Sequence, residues 1–396
     1  MKYWRGYLTA GIFAAITWGL TNLAGRFGVV VDMVFPYVTR TIQDMLATWT
    51  SQADFLVWQV LAVLFAAVVL ATLVLVIVLK WNPVRWLGWV LAAASFVYML
   101  HTVIFGLNYY AGPLAEDVRL QVAEYNTQEL ANAATYYRDK ANELALQINR
   151  DENGDANFEE FELLATQAGN GFEHLTYDRS FSVFAGTTAP VKKLGWADLY
   201  TSMGICGITM GITGEAAVNP QIPDVALPFT MCHEMAHRMS IAIERDANFA
   251  GFLAASANES LEFRYSAYFM AFRYCYSSLV NLNTTESASA AARVSADIND
   301  ALRHDLNSYN AFFSTNMDKG ASKLADKAND TYLKASGDSQ GTASYGDVTQ
   351  LLVSWHIQQI VLPELMDEEN KFDPFDENQV DLSGIINAAD KPGWGK

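Results

Sequence analysis

The stretch FTMCHEMAHRMSIAIERDANFAGFLA, residues 229–254, holds the side chains best suited to chemistry. His233 and His237 stand four apart, with Glu234 directly after the first, in the pattern HExxH. At about 100° per residue, histidines so spaced on a helix share one face and reach one Zn2+. Glu234, one step round, is placed to hold and deprotonate a water that zinc acidifies to a pKa of roughly 7. Passing that proton to a leaving amine completes peptide hydrolysis. The competing reading is a core helix with two incidental histidines.

A catalytic zinc takes a third protein ligand. Glu244 lies seven residues beyond His237, about 10 Å away along a straight helix. The helix must therefore end near Arg238–Ser240 and turn back, with Ser240 suited to cap the helix that follows. Glu244 then reaches the metal, with Asp246 as the competing ligand. Asn248, at i+4 from Glu244, is placed to hold a ligand histidine's distal nitrogen.

These residues need elements to position them. TSMGICGITMGITGEAAVNPQIP, residues 201–223, is punctuated by glycine and ends in Asn-Pro, so it reads as strands joined by turns. An edge strand beside the metal would pair with a substrate backbone; an ordinary sheet strand fits equally. Residues 117–150 have helical spacing and read as one long helix or a helical pair. From 229 to about 365 helical patterns dominate, interrupted at 336–347. The acidic stretch 367–396 reads as a loosely ordered tail.

The first 109 residues carry six basic and three acidic side chains, a net +3 against −17 for the chain, so the remainder carries −20. That acidic part repels phosphate backbones and excludes nucleic acid as a partner. Three apolar runs, about 7–24, 55–79 and 86–105, read as transmembrane helices, with Trp4, Trp58, Trp81, Trp86 and Trp89 near their ends. Lys2, Arg5, Lys80 and Arg85 fall on one side of three spans, which the positive-inside rule places in the cytoplasm. The loop 26–54 and everything after about residue 107 then lie outside. Cys206, Cys232 and Cys275 form no CxxC pair and read as buried free thiols.

The segments FGLNYYAGPL (105–114), GITGEAAVN (211–219), PFTMCHEMAH (228–237), FRYSAY (263–268), NDTYLKASG (329–337) and SYGDVTQLLVSW (344–355) fall in the order of a bacterial membrane-protein family. The chain resembles that family, domain of unknown function 3810, over nearly its whole length. The family has Gly where this chain has Ser240, and Glu where it has Asp246. Glu244 and Asn248 match it and resemble the arrangement of glutamate-type zincins. The resemblance implies a membrane-bound metallopeptidase and assigns no substrate. Glu215 falls in the family's GEA segment, where it binds a substrate amine or holds a turn.

Oxyanion or substrate contacts are sought in Arg264, Tyr265 and Tyr268, and in Tyr345; structural roles are the alternative. His304 and His356 are isolated, and His101 lies inside the third apolar run. DENGDANFEEFE (151–162) places Asp151, Asn153, Asp155, Asn157, Glu159 and Glu162 at the ligand positions of a calcium-binding EF-hand loop, with Ala156 where glycine belongs. It reads as a Ca2+ loop or a solvated acidic one.

The expected molecule is α+β and mainly helical. Three transmembrane helices (1–109) precede a zincin-like extracytoplasmic domain with a small sheet and an HExxH helix (110–366), then the tail (367–396). It sits in the bacterial cell membrane and hydrolyses a peptide or protein substrate with Zn2+. The alternative is a non-proteolytic sensor or envelope-assembly protein with a structural metal.

Overall fold

The computed structural model describes residues 3–186, 189–337 and 348–363. Four long helices open the chain, one more than expected. α1 (Arg5–Arg26), α3 (Val57–Val78) and α4 (Pro83–Ile104) are long and apolar enough to cross a membrane. They coincide with the three apolar runs. The segment expected as a loop is instead α2 (Gly28–Thr50), separated from α1 by Phe27 alone. Asp32, Pro36, Arg40 and Asp44 break its apolar run and concealed it from a hydropathy reading.

α1 and α4 run in the same direction. Phe13 meets Phe96 with ring centroids 5.3 Å apart. A Cβ at Gly6 would fall 2.5 Å from the Gly88 carbonyl carbon, so the backbones touch there, as small residues allow in apolar surroundings. α3 runs antiparallel to α4, joined where Trp86 Nε1 donates to Thr72 Oγ1 at 2.9 Å. Arg5, Lys80 and Arg85 thus share one end of the bundle, and the rest of the chain leaves from the other.

Beyond a 3-10 turn (Gly106–Tyr110) come α5 (Leu114–Asp117), α6 (Thr127–Ala145), α7 (Phe161–Leu175), β1 (Lys192–Lys193), α8 (Ala197–Met203), β2 (Gly207–Met210) and β3 (Glu215–Val218). Then follow α9 (Leu227–Arg238), α10 (Glu244–Ala257), α11 (Leu261–Asn281), α12 (Thr285–Ala296), α13 (Asp300–Asn316), α14 (Lys319–Ser336) and α15 (Val348–His356). The chain is mainly helical with one small sheet, as expected. The helix expected over 117–150 begins only at Thr127. Asn126 Oδ1 accepts from the Gln128 and Glu129 amides, and the Glu129 carboxylate accepts from the Asn126 amide. That capping box fixes the start more firmly than apolar spacing, which runs on upstream.

The expected hairpin is β2–β3, antiparallel, turning through Gly214 at φ +67°. β1 pairs parallel with the other side of β3, giving the order β1-β3-β2. β2 is therefore an edge. The sheet is fastened to the bundle by Glu215. Its two oxygens accept from the Val57 and Trp58 amides at 2.8 and 2.9 Å, and Lys192 Nζ donates to Oε1 at 2.8 Å. A buried carboxylate thus satisfies the first orphan amides of α3.

The core lies among α6, α9, α10 and α11. Phe249, Phe263, Phe269 and Phe272 are fully buried, and Tyr137 packs edge-on against Phe252 at 5.5 Å. Burying each such ring contributes about 2–3 kcal/mol. The three cysteines are free, with Cys232 and Cys275 buried. A second unit begins at Trp355 and is helical to residue 363, with a π-helical turn over Ile357–Val361. Tyr345 and the expected tail lie outside the described residues.

Candidate metal centre

α9 carries the HExxH residues on a helix that enters through Pro228 and ends at Arg238. Pro at the start costs nothing, because no partner exists there for an amide. The chain then reverses. The Ser240 amide donates to the His237 carbonyl at 2.9 Å, and the Ile241 amide to Ala236 at 3.2 Å. Ser240 has φ +76°, the left-handed conformation that favours glycine. Ser240 is thus the reversal itself, not the cap of the next helix. α10 starts at Glu244 and packs tightly across α9, with a Cβ at Gly251 only 3.2 Å from the His233 amide nitrogen.

The reversal brings Glu244 Oε2 to 3.4 Å from His233 Nε2 and 3.5 Å from His237 Nε2. Ligands tetrahedrally placed about 2.0–2.1 Å from zinc stand about 3.3–3.4 Å apart. Among the described residues, His233, His237 and Glu244 form the one group of His, Cys, Asp or Glu whose donor atoms all converge, within 4.8 Å. Glu244 Oε2 is buried with no hydrogen-bond partner. An orphaned carboxylate oxygen facing two imidazoles is a donor set suited to zinc. Each of the three side chains keeps 10–12 % exposure, so the cluster meets solvent.

His237 Nδ1 lies 2.8 Å from the Ile241 carbonyl, which turns Nε2 toward Glu244. Burial alone would lower the His237 pKa, but the Glu244 carboxylate outweighs it and holds it at about 9. Burial likewise opposes ionisation of Glu244; the two histidines overcome this and hold its carboxyl well below the usual range.

Glu234 is buried beneath β2. Thr209 Oγ1 lies 2.7 Å from Glu234 Oε2 and 2.8 Å from the Glu234 carbonyl. A Cβ at Gly207 would fall 2.3 Å from Glu234 Oε1, so any larger residue there would push this carboxylate from its place beneath the strand. Burial raises the Glu234 pKa, partly offset by His233, His237 and Thr209. A base so raised is better matched to work near neutrality. Burial, with Glu234 nearby, pushes the Cys206 thiol up to about 12 and keeps it neutral.

A family model described as "Protein of unknown function (DUF3810)" matches residues 33–353. The chain belongs to this family. The matched span of this DUF3810 protein starts within α2 and takes in the whole metal turn. No curated protein and no solved structure matches it.

The other expected site residues of the DUF3810 chain fall elsewhere. Asp246 accepts from the Leu114 amide at 3.0 Å and pairs with Arg245, anchoring the segment after α4 instead of joining the His233, His237 and Glu244 cluster. Asn248 Oδ1 accepts from Tyr274 at 3.2 Å; no hydrogen bond joins it to a histidine, and the Ile241 carbonyl holds His237. Glu215 caps α3. Tyr265 donates to Asp305, Tyr268 packs against Tyr137 and Phe252, and Arg264 Nε is buried without a partner. Tyr274, on the same helix but another face, and Tyr332 of α14 feel the Glu244 charge instead, after burial as the main cause of their raised pKa values. Helical spacing names the faces of α11 but not which one turns toward Glu244. Thr209, Gly207, Tyr274 and Tyr332 carried no local signal.

The loop 151–162 is tied to other elements. Asp151 Oδ1 accepts from the Asn153 and Asp155 amides. Asp155 Oδ1 lies 2.8 Å from His304 Nε2 and accepts from Ser308 at 2.6 Å, while Glu162 pairs with Lys193 at 2.6 Å. The Asn157 amide turns back to the Asn149 carbonyl, and the Glu159 amide donates to Glu262. His101 Nε2 lies 2.9 Å from the Tyr332 hydroxyl.

Proposed function

We propose that this chain is a membrane-anchored zinc metallopeptidase that hydrolyses peptide bonds of a peptide or protein substrate. The observation that carries this reading is the orphaned Glu244 Oε2 within 3.5 Å of both histidine Nε2 atoms, beside a separate carboxylate, Glu234, held by Thr209. His233, His237 and Glu244 hold the metal. Zinc held there supplies Lewis-acid polarisation of a carbonyl and acidification of water. Glu234 takes the proton from the attacking water and delivers it to the departing amine. The free edge of β2, next to Glu234, receives the substrate backbone as an added strand.

The bundle end bearing Arg5, Lys80 and Arg85 faces the cytoplasm of a bacterial cell, so α1, α3 and α4 span the membrane and the zincin-like domain is extracytoplasmic. A sensor or envelope-assembly protein with a structural metal needs no base beside its site, which disfavours that alternative. The test is Glu234→Gln in the full-length chain, with zinc content and hydrolysis of unfolded protein measured together. Hydrolysis falls by about a thousandfold or more with zinc retained. Unchanged hydrolysis, or none in the wild type with zinc bound, sinks the reading.

A further inference from the structure

α2 is amphipathic in the wrong sense for a helix in water. Thr39, Arg40, Gln43 and Ala47 are buried against the domain, while Val29, Val30, Met33, Val34, Tyr37 and Trp49 are exposed, at 47–75 % for the whole exposed apolar set of this helix. Its inner face follows the underside of the domain along its length. Asp32 accepts from the Gly112 amide, the Pro36 carbonyl from Ser240, and Arg40 and Gln43 donate to the Met239 and Gly211 carbonyls. Thr50 donates to the Thr213 carbonyl at the far end. A helix that touches the domain from end to end lies along it and does not cross the bilayer beside α1.

Its outer face is continuous with the apolar bundle. One residue separates α2 from α1, and α3 starts seven positions after α2 ends. Gln59, in the first turn of α3, donates to the Gly195 carbonyl, which brings the half-exposed Trp196 to the same level. Thr41, Asp44 and Thr48 interrupt the outer face of α2, as an interfacial helix tolerates and a spanning one does not.

We propose that α2 lies in the plane of the bilayer interface, its apolar face in lipid and its polar face beneath the metal turn. The site therefore acts on polypeptide held close to the membrane surface. Met239, two residues past His237, rests directly on Arg40 of α2. One helix diameter, about 10 Å, then separates the metal turn from the acyl region. The substrate half of this inference rests on the peptidase reading; the position of α2 does not.

The test uses the full-length protein in nanodiscs of phosphatidylcholine and phosphatidylglycerol. A fluorophore is placed in turn at Val34→Cys, Met45→Cys and, as a control at the C-terminal end of α6, Leu146→Cys, with labelling of the native cysteines subtracted. Nitroxide-bearing lipids quench the first two at least about threefold more than the third, and aqueous iodide does the reverse. Iodide quenching at Val34 and Met45 equal to that at Leu146 overturns the placement. Lipopeptides of one sequence then carry the cleavable segment about 5 or about 30 residues from the acyl anchor, reaching about 17 or 100 Å at full extension. Cleavage of the short form at a rate within about threefold of the long one supports the substrate class. Cleavage of the long form alone overturns it. If neither is cut in a Glu234-dependent way, the peptidase reading fails, and the quenching still decides where α2 lies.

Discussion

Two stretches of this chain spell metal sites, and the fold treats them differently. At the turn between α9 and α10, three donors from two helices converge, and the carboxylate oxygen among them faces both imidazoles with no hydrogen bond. In the loop 151–162, the carboxylates face amides and side chains that already answer them: Asp155 turns to His304 and Ser308 on α13, and Glu162 to Lys193 on β1. A metal at the first site would displace only the proton shared with His237; at the second it would also displace hydrogen bonds. Spacing in sequence selects candidates, and competition from the rest of the protein decides between them.

That contrast breaks most visibly on removing a donor. His237→Ala and Glu244→Ala each weaken zinc binding by roughly a hundredfold or more, while Asp155→Ala leaves it unchanged, as read by titration against a competing chelator. Equal losses in all three would erase the distinction.

A pH series sharpens it. Zinc displaces the His237 proton, which Glu244 holds to about pH 9 in the metal-free pocket. Zinc affinity therefore rises about tenfold per pH unit from 7 toward 9 and then levels. Stability of the metal-free chain moves the opposite way. A histidine whose folded pKa exceeds its unfolded 6.5 stabilises below 6.5, and that contribution is lost as pH rises through about 9. Parallel trends for affinity and metal-free stability would contradict the pairing with Glu244.

Ser240→Gly has a smaller effect. Relief of the left-handed strain raises stability by about 1 kcal/mol, less what the Ser240–Pro36 hydrogen bond contributes. Denaturant unfolding would register it, with zinc affinity unaltered. Smallest of all is the response of the acidic loop. Millimolar Ca2+ moves the Tm by less than about 1 °C, whereas stoichiometric zinc raises it by several degrees through linkage. A calcium shift matching that of zinc would put the two sites on equal terms.

The metal turn was legible because its geometry is local: a four-residue spacing fixes the histidines, and the seven-residue gap to Glu244 demands a reversal. The three long apolar helices were legible from the length and composition of their runs. α2 was not, because its apolar residues look outward while Asp32 and Arg40 turn to the domain and Asp44 interrupts the outer face, so no window of sequence averages to a recognisable type. The covering of Glu234 by Gly207 and Thr209 depends on how distant elements pack. Asp246 and Asn248 sat on the expected helix, yet their partners, the Leu114 amide and Tyr274, come from elsewhere in the fold.

The touching backbones of Gly6 and Gly88 set an order of assembly. α1 is synthesised first, and its partner face on α4 follows roughly 80 residues later, or about 4–16 s at common rates of translation. α1 spends that interval without its neighbour. Thr17, Thr21 and Asn22 turn their side chains onto carbonyls of their own helix, so these polar groups are satisfied before any neighbour arrives, as lipid would require. The glycine seam closes only when α4 arrives, and α2, strung between α1 and α3, meets its docking surface only once the domain behind α4 has folded.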